Sequence, residues 1–186
     1  MKNFFVVTGG SRSGKSTFAE KFVTKLGKKI AYIATAEILD DEMKNRVALH
    51  QQRRPSNWKT FESPYNADET IKQIREEKFD TILFDCVTIY LSNLICSLEK
   101  PEYDIVKNSI DKLIFTAEEF CLSGGNIVFV TNEVGSGIVP ENALARVFRD
   151  FAGLVNQNLA DHAEKIFLVV AGIPIDIKQF EYRIED

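Results

Sequence analysis

At 186 residues the chain has room for one α/β domain with a full core and is too short for two. An apolar fraction of 45% and a charged fraction of 27% are globular values, and a net charge of −4 without a basic run argues against nucleic acid as the main partner. Three cysteines, Cys86, Cys96 and Cys121, form no C-x-x-C pair, which points to a reducing cytosol with neither a disulfide framework nor a metal cage.

The chain opens on a short apolar run, Phe4-Phe5-Val6-Val7, that passes straight into glycines and so lacks the order of a signal peptide. The stretch that follows is Thr8-Gly9-Gly10-Ser11-Arg12-Ser13-Gly14-Lys15-Ser16-Thr17, and it leads into Phe18-Ala19-Glu20-Lys21-Phe22-Val23 with apolar residues at helical spacing. Gly9, four residues, then Gly14-Lys15-Ser16 is the spacing of a phosphate-cradling loop, with the strand before it and the helix after it that the loop needs. Glycines let successive N–H groups curl around a phosphate without a Cβ in the way, and the start of a helix favours negative charge. Lys15 is expected to reach the β- and γ-phosphates and the Ser16 hydroxyl to ligate Mg²⁺. The bland alternative is a glycine-rich turn with no ligand. Spacing and context together predict that the chain binds a nucleoside triphosphate.

Strands are predicted near 3–8, 29–34, 80–85, 126–131 and 165–171, each a Val/Ile/Phe-rich run suited to burial on both sheet faces. Helical patterns lie near 15–26, 39–54, 66–77, 87–98, 104–122 and 142–163, and Trp58 to Glu62 could add a shorter strand. This alternation predicts an α/β fold: a P-loop NTPase-type (RecA-like), mostly parallel sheet flanked by helices, a single nucleotide-binding catalytic domain over 1–186, with ligands beyond the carboxyl ends of the strands. Pro101 and Gly124-Gly125 read as turns, and the tail after Lys178 carries no clear pattern. No apolar stretch approaches membrane-spanning length, so a soluble cytoplasmic protein is expected.

Several polar positions carry candidate chemistry. Between Asp40 and Pro55, acidic residues open a helical pattern and Pro55 closes it. Arg46, His50 and Arg53 or Arg54 share one face there. Guanidinium neighbours push an imidazole toward its neutral, nucleophilic form and suit a bound phosphate, although an exposed histidine on a basic helix face fits the same pattern. Asp85 ends the strand Thr81-Ile82-Leu83-Phe84, where it could hold Mg²⁺ or cap the helix that begins at Val87. Asn132-Glu133-Val134-Gly135 follows another strand and reads as site edge or as turn. In the last long helix Leu144, Phe148, Val155 and Leu159 predict a core stripe. Beside it Arg146, Arg149, Asp150 and Asn156-Gln157 predict a polar one, solvated or facing a substrate or a second subunit. His162 reads as part of a polar helix end.

Taken together, these stretches resemble the bifunctional adenosylcobinamide kinase / adenosylcobinamide-phosphate guanylyltransferase family of cobalamin biosynthesis. The likeness runs from about residue 5 to Lys178 through Thr8 to Ser16, Tyr32-Ile33-Ala34-Thr35-Ala36, Asp40 to Pro55, Trp58, Glu62, Asp85-Cys86 and Thr131 to Gly135. It continues through Gly137-Ile138-Val139-Pro140, Phe148-Arg149-Asp150 and Asn156-Gln157. The resemblance implies that His50 is the residue that becomes guanylylated and that ATP or GTP, adenosylcobinamide and its phosphate are the substrates, with Mg²⁺ held at Ser16 and Asp85. It implies nucleotide contacts from Gly9, Gly10, Ser11, Arg12, Ser13, Gly14, Lys15, Ser16, Ala34, Thr35, Ala36, Gln51, Gln52, Arg53, Arg54, Glu62 and Asp85. It also implies a homo-oligomer, reportedly a trimer, without nucleic-acid partners or membrane insertion. Two other readings stand beside it. One is a single-activity P-loop small-molecule kinase; the other is a nucleotide-switched GTPase, for which the Asn-Lys-x-Asp guanine-reading motif is missing.

Overall fold

A computed structural model describes residues 3–37, 55–98 and 102–182. The apolar runs form the strands the pattern predicts: β1 (Phe4–Thr8), β2 (Ile30–Ala34), β4 (Thr81–Asp85), β5 (Asn126–Val130) and β6 (Lys165–Val170). The shorter piece after Trp58 is also a strand, β3 (Lys59–Glu62). The helices are α1 (Lys15–Leu26), α2 (Ala67–Glu76), α3 (Val87–Cys96), α4 (Tyr103–Leu122) and α5 (Ala143–His162). The helix predicted near 39–54 and the turn at Pro101 lie outside the described residues.

With a last strand β7 (Ile173–Asp176), seven strands among the described residues make one sheet in the order β3-β2-β4-β5-β1-β6-β7, parallel except for the last pair. Because successive side chains along a strand point to opposite faces, each buried strand feeds two cores. Phe5, Val7, Leu83, Val128 and Val130 face α1, where Phe18 and Phe22 close around Phe167 with ring centroids 5.0 Å apart. Phe4, Val6, Ile82, Phe84, Ile127 and Phe129 face the opposite way, under α2, α3, α4 and α5. Burial of continuous apolar strands on both faces is the reason these runs do not alternate with polar residues.

One expectation needs correction. Leu144 is exposed, and the buried stripe of α5 is Phe151, Ala152, Val155 and Leu159. Phe148 of the predicted stripe packs against the core half-buried, and Leu144 one turn earlier extends past it. Beyond β6 the chain adds a strand that the pattern did not predict. It turns back through Ala171 (φ 51°) and Gly172 (φ 81°) into β7 (Ile173–Asp176), antiparallel to β6, and ends in a 3₁₀ turn over Ile177–Phe180. Two consecutive positive φ values give the type I′ turn of a tight hairpin, and the Ala-Gly pair between two apolar runs was the signal for it.

All three cysteines are free thiols, and their surroundings predict their reactivity. Cys86 is buried, which pushes its pKa up to about 11, and burial pushes half-buried Cys121 up to about 12. Cys96 is exposed at the end of α3. Since the thiolate is the reactive form, an aromatic disulfide reagent at neutral pH is expected to titrate Cys96 rapidly in the native protein and the other two only after denaturation. Equal rates for all three would contradict the burial.

Candidate active site

Register across the sheet brings the candidate residues level with one another. Val7 of β1 is opposite Val130 of β5, Val130 opposite Asp85 of β4, Asp85 opposite Ala34 of β2, and Ala34 opposite Glu62 of β3. All five stand at the carboxyl edge. The loop after β1 and the carboxylate of Asp85 therefore flank the end of β5, the strand between them. Residues far apart in sequence become neighbours on one edge, as parallel crossover folds require.

The loop has the backbone of an anion cradle. Gly14 caps α1 in the left-handed region (φ 96°), Arg12 has φ 56°, and Phe18 N–H donates to Gly14 O at 3.0 Å. Gly172 N–H donates to Ser13 O (2.8 Å) and Glu133 N–H to Gly9 O (3.2 Å), so the β6–β7 hairpin and the end of β5 both hold the loop. The start of α1 carries no acidic residue in its first turn and no side-chain cap, which leaves its N–H groups for an anion. Ser13 Oγ and Thr8 Oγ1 are buried beside it without a protein partner.

Lys15 is the first residue of α1, and its Nζ donates back to Gly10 O at 3.2 Å. Burial lowers its pKa, while the nearby Cys86 and Asp85 pull it up. Asp85 does not cap α3. That helix begins after Cys86, which makes no side-chain cap, and Asp85 Oδ2 instead accepts a hydrogen bond from Tyr32 O–H at 3.0 Å. Among the described residues no group of three or more His, Cys, Asp or Glu side chains could hold an ion. Asp85 and Ser16 offer one carboxylate and one hydroxyl, a donor set that could hold Mg²⁺ only with phosphate oxygens and water completing its shell.

A belt of polar side chains ties the strand ends together. Thr35 is fully buried; its hydroxyl donates to Cys86 O (2.9 Å) and accepts from Cys86 N–H (2.8 Å). Asn93 Nδ2 donates to Thr35 O and Pro64 O. Thr88 Oγ1 lies 3.3 Å from Cys86 Sγ and accepts from Asn132 Nδ2 at 2.7 Å. Asn156 on α5 meets both Thr131 and Asn132. Of the predicted polar stripe, Arg149 donates to Gly135 O, Arg146 to Pro140 O and Glu141 O, and Asp150 and Gln157 are exposed. Glu133 takes the turn role, accepting from Gly135 N–H at 2.7 Å. His162 ends α5 with Nδ1 2.6 Å from Glu118 Oε1, joining two helices away from the loop.

Sequence reasoning placed Tyr32, Thr88 and Asn93 within the family likeness but gave them no role, and it missed the inward role of Asn156. A threonine and an asparagine inside the otherwise apolar Val87–Cys96 helix were the available signal, since polar groups there need partners. Gly9 to Ser16, Ala34, Thr35, Ala36, Glu62 and Asp85 all come to the carboxyl edge. His50, Gln51, Gln52, Arg53 and Arg54, with Arg46, lie outside the described residues.

Residues 5–177 of this chain match the CobU family, described as cobinamide kinase / cobinamide phosphate guanyltransferase. The chain belongs to the CobU family. Similar proteins include the bifunctional adenosylcobalamin biosynthesis protein CobU of Salmonella typhimurium, 43% identical over 93% of this chain and 98% of that one. The CobU protein of Escherichia coli is 42% identical over the same shares. The bifunctional adenosylcobalamin biosynthesis protein CobP of Pseudomonas aeruginosa is 35% identical over 93% of this chain and 96% of its own length. Among solved structures, the RadB recombinase superposes with a TM-score of 0.54 over 90% of this chain and 74% of that one at 13% identity, a likeness of fold alone. The chain thus belongs to a family of kinases and guanylyltransferases and shares its fold with the RadB recombinase, and its Gly9 to Ser16 loop and Asp85 stand at the sheet's carboxyl edge. Among the described residues no helix is long and apolar enough to cross a membrane.

Proposed function

We propose that this chain phosphorylates adenosylcobinamide with ATP or GTP and then transfers GMP from GTP, through a guanylyl-histidine at His50, to give adenosylcobinamide-GDP. The observation that carries the reading is the anion cradle of Gly9 to Ser16 facing Asp85 across β5, within a chain that matches the CobU family over residues 5–177.

In the kinase half, backbone N–H groups of Gly9 to Gly14 hold the triphosphate and Lys15 meets its terminal phosphates. Ser16 and Asp85 would hold Mg²⁺, which when bound neutralises phosphate charge. The aminopropanol hydroxyl of the acceptor attacks the γ-phosphorus and the nucleoside diphosphate leaves. Positioning and charge neutralisation by these groups supply most of the catalysis. In the guanylyl half, a ring nitrogen of His50 attacks the α-phosphorus of GTP and pyrophosphate leaves. A phosphate oxygen of the acceptor then attacks the phosphoramidate, the N–P bond breaks, and the imidazole is restored. By sequence spacing, Arg46 and Arg53 or Arg54 favour a neutral His50 imidazole by repelling its protonated form, and Gln51, Gln52, Arg53 and Arg54, with Ala34, Thr35, Ala36 and Glu62, contribute nucleotide contacts. A homo-oligomer, as a trimer, working in the cytoplasm completes the reading. An active species with the mass of one chain would overturn the oligomer.

The decisive test is incubation with GTP labelled at the α-phosphorus. Label retained on denatured protein, acid-labile and alkali-stable, and lost in His50→Ala, is the expected result. Label that persists in His50→Ala, or none on the wild type, would reduce the function to a kinase.

A further inference from the structure

Asn156 belongs to a stripe of α5 expected to meet water, a substrate or a second subunit, and it meets the end of β5 instead. Its side chain turns toward β5 and uses both halves of the amide. Oδ1 accepts from the Thr131 hydroxyl at 2.7 Å, and Nδ2 donates to Asn132 O at 3.2 Å. Thr131 and Asn132 are consecutive residues at the end of the strand that separates the cradle from Asp85.

From this point the chain of bonds runs both ways. The next residue, Glu133, donates its N–H to Gly9 O at 3.2 Å, on the phosphate-loop side. In the other direction Asn132 Nδ2 donates to Thr88 Oγ1 at 2.7 Å, and Thr88 lies 3.3 Å from the sulfur of Cys86, the residue after Asp85. Thr131 is also fixed by its own backbone, whose N–H donates to Val7 O at 2.9 Å. One half-buried amide on α5 thus grips the segment that sets the spacing between the loop and the carboxylate. We propose that Asn156 is a positioning residue for phosphoryl transfer, acting through Thr131 and Asn132 to hold the phosphate cradle and Asp85 at their working separation.

Only a carboxamide can do this. It presents one acceptor and one donor on the same short stem; a carboxylate keeps the acceptor and loses the donor, and an aliphatic group loses both. Reactions that depend on alignment respond steeply to small displacements, while binding of a flexible triphosphate responds weakly. The effect of Asn156 therefore falls on turnover. The inference rests on the phosphoryl-transfer reading of the site, and its test includes a measurement made without substrate.

Asn156→Asp breaks the bond to Asn132 O and keeps the one to Thr131; Thr131→Val breaks the other in a side chain of the same shape. Asn156→Asp is expected to lower kcat for cobinamide phosphorylation about 10- to 100-fold with the nucleotide KM changed by less than about threefold. Exposed Gln157 one residue on serves as the control, and Gln157→Ala is expected to leave both constants unchanged. Because both contacts serve one segment, the double variant is expected to be no worse than the more damaged single one. Hydrogen exchange in unliganded protein is expected to quicken in Asn156→Asp over residues 131–135 and 85–88 and nowhere else. A kcat within about twofold of wild type, KM rising in step with a falling kcat, or additive losses would overturn the proposal. If Asn156→Asp does not fold, Thr131→Val decides the same points. If the wild type turns over no cobinamide, the substrate reading fails, and unchanged exchange over 131–135 would then sink the positioning role by itself.

Discussion

Lys15→Ala is expected to lower kcat/KM for both phosphoryl and guanylyl transfer by about a thousandfold or more, because an ammonium facing the phosphates acts where charge builds up in the transition state. Both losses come from one substitution because the proposed function has one cradle serve both triphosphate reactions. Stability is expected to change little, since the hydrogen bond that this amine makes to Gly10 O is exposed, and such a bond is worth about 1 kcal/mol. A pH titration gives a second signature. Burial holds the free amine below the ordinary lysine value of 10.5. A bound triphosphate favours the ammonium and raises that pKa, so binding takes up a proton in the interval between the two values. Nucleotide affinity is therefore expected to fall as pH rises through the lowered pKa of the unliganded amine toward 10.5 in the wild type and to stay flat over that interval in Lys15→Ala. Steady-state kinetics, a nucleotide titration and a thermal melt check all three points. Retention of either activity would contradict the role given to the loop.

The legible part of the molecule was local. Phe4 to Val7 is a strand, and Lys15 to Leu26 is a helix, because each carries its own period and its own glycine punctuation. The phosphate loop was legible for the same reason: its chemistry is written in consecutive residues. Long-range pairing was not. Nothing in the stretches around Ala34, Glu62 and Asp85 states that they stand level across three strands; that follows from sheet register, which is settled by packing of whole faces. Leu144 was misplaced because a helical stripe continues beyond the core that gives it meaning. Asn156 was misread because a polar side chain on a helix looks the same in sequence whether it meets water or a strand end. Its position next to Val155, on the border of the buried face, was the one hint available. Asp85 had two local readings, cap and metal ligand, and the start of α3 after Cys86 without a side-chain cap bond removes the first.

Gly9→Ala and Gly10→Ala are expected to differ sharply although the two glycines are adjacent. A Cβ on Gly9 would lie 2.4 Å from Val169 O and 2.7 Å from Ser13 Oγ, whereas a Cβ on Gly10 meets nothing within 4 Å. The close neighbour of Gly9 is a backbone carbonyl of β6, which is paired along β1 through Phe5 to Thr8 and cannot swing aside as a side-chain tip can. Something must shift, and overpacking of this kind costs about 1–3 kcal/mol. In a domain of this size each kcal/mol moves the melting temperature by about 2–4 °C, so Gly9→Ala is expected to melt clearly below both the wild type and Gly10→Ala. The same displacement strikes the cradle. Gly9 O is the acceptor for Glu133 N–H, so pushing β1 away from β6 also loosens the link to the end of β5. Nucleotide binding in Gly9→Ala is expected to weaken together with stability, a joint loss that Lys15→Ala does not show. Identical melting curves for the two glycine variants would mean that β6 yields at Val169 without strain, and the close approach of the two strands would then have no part in shaping the loop.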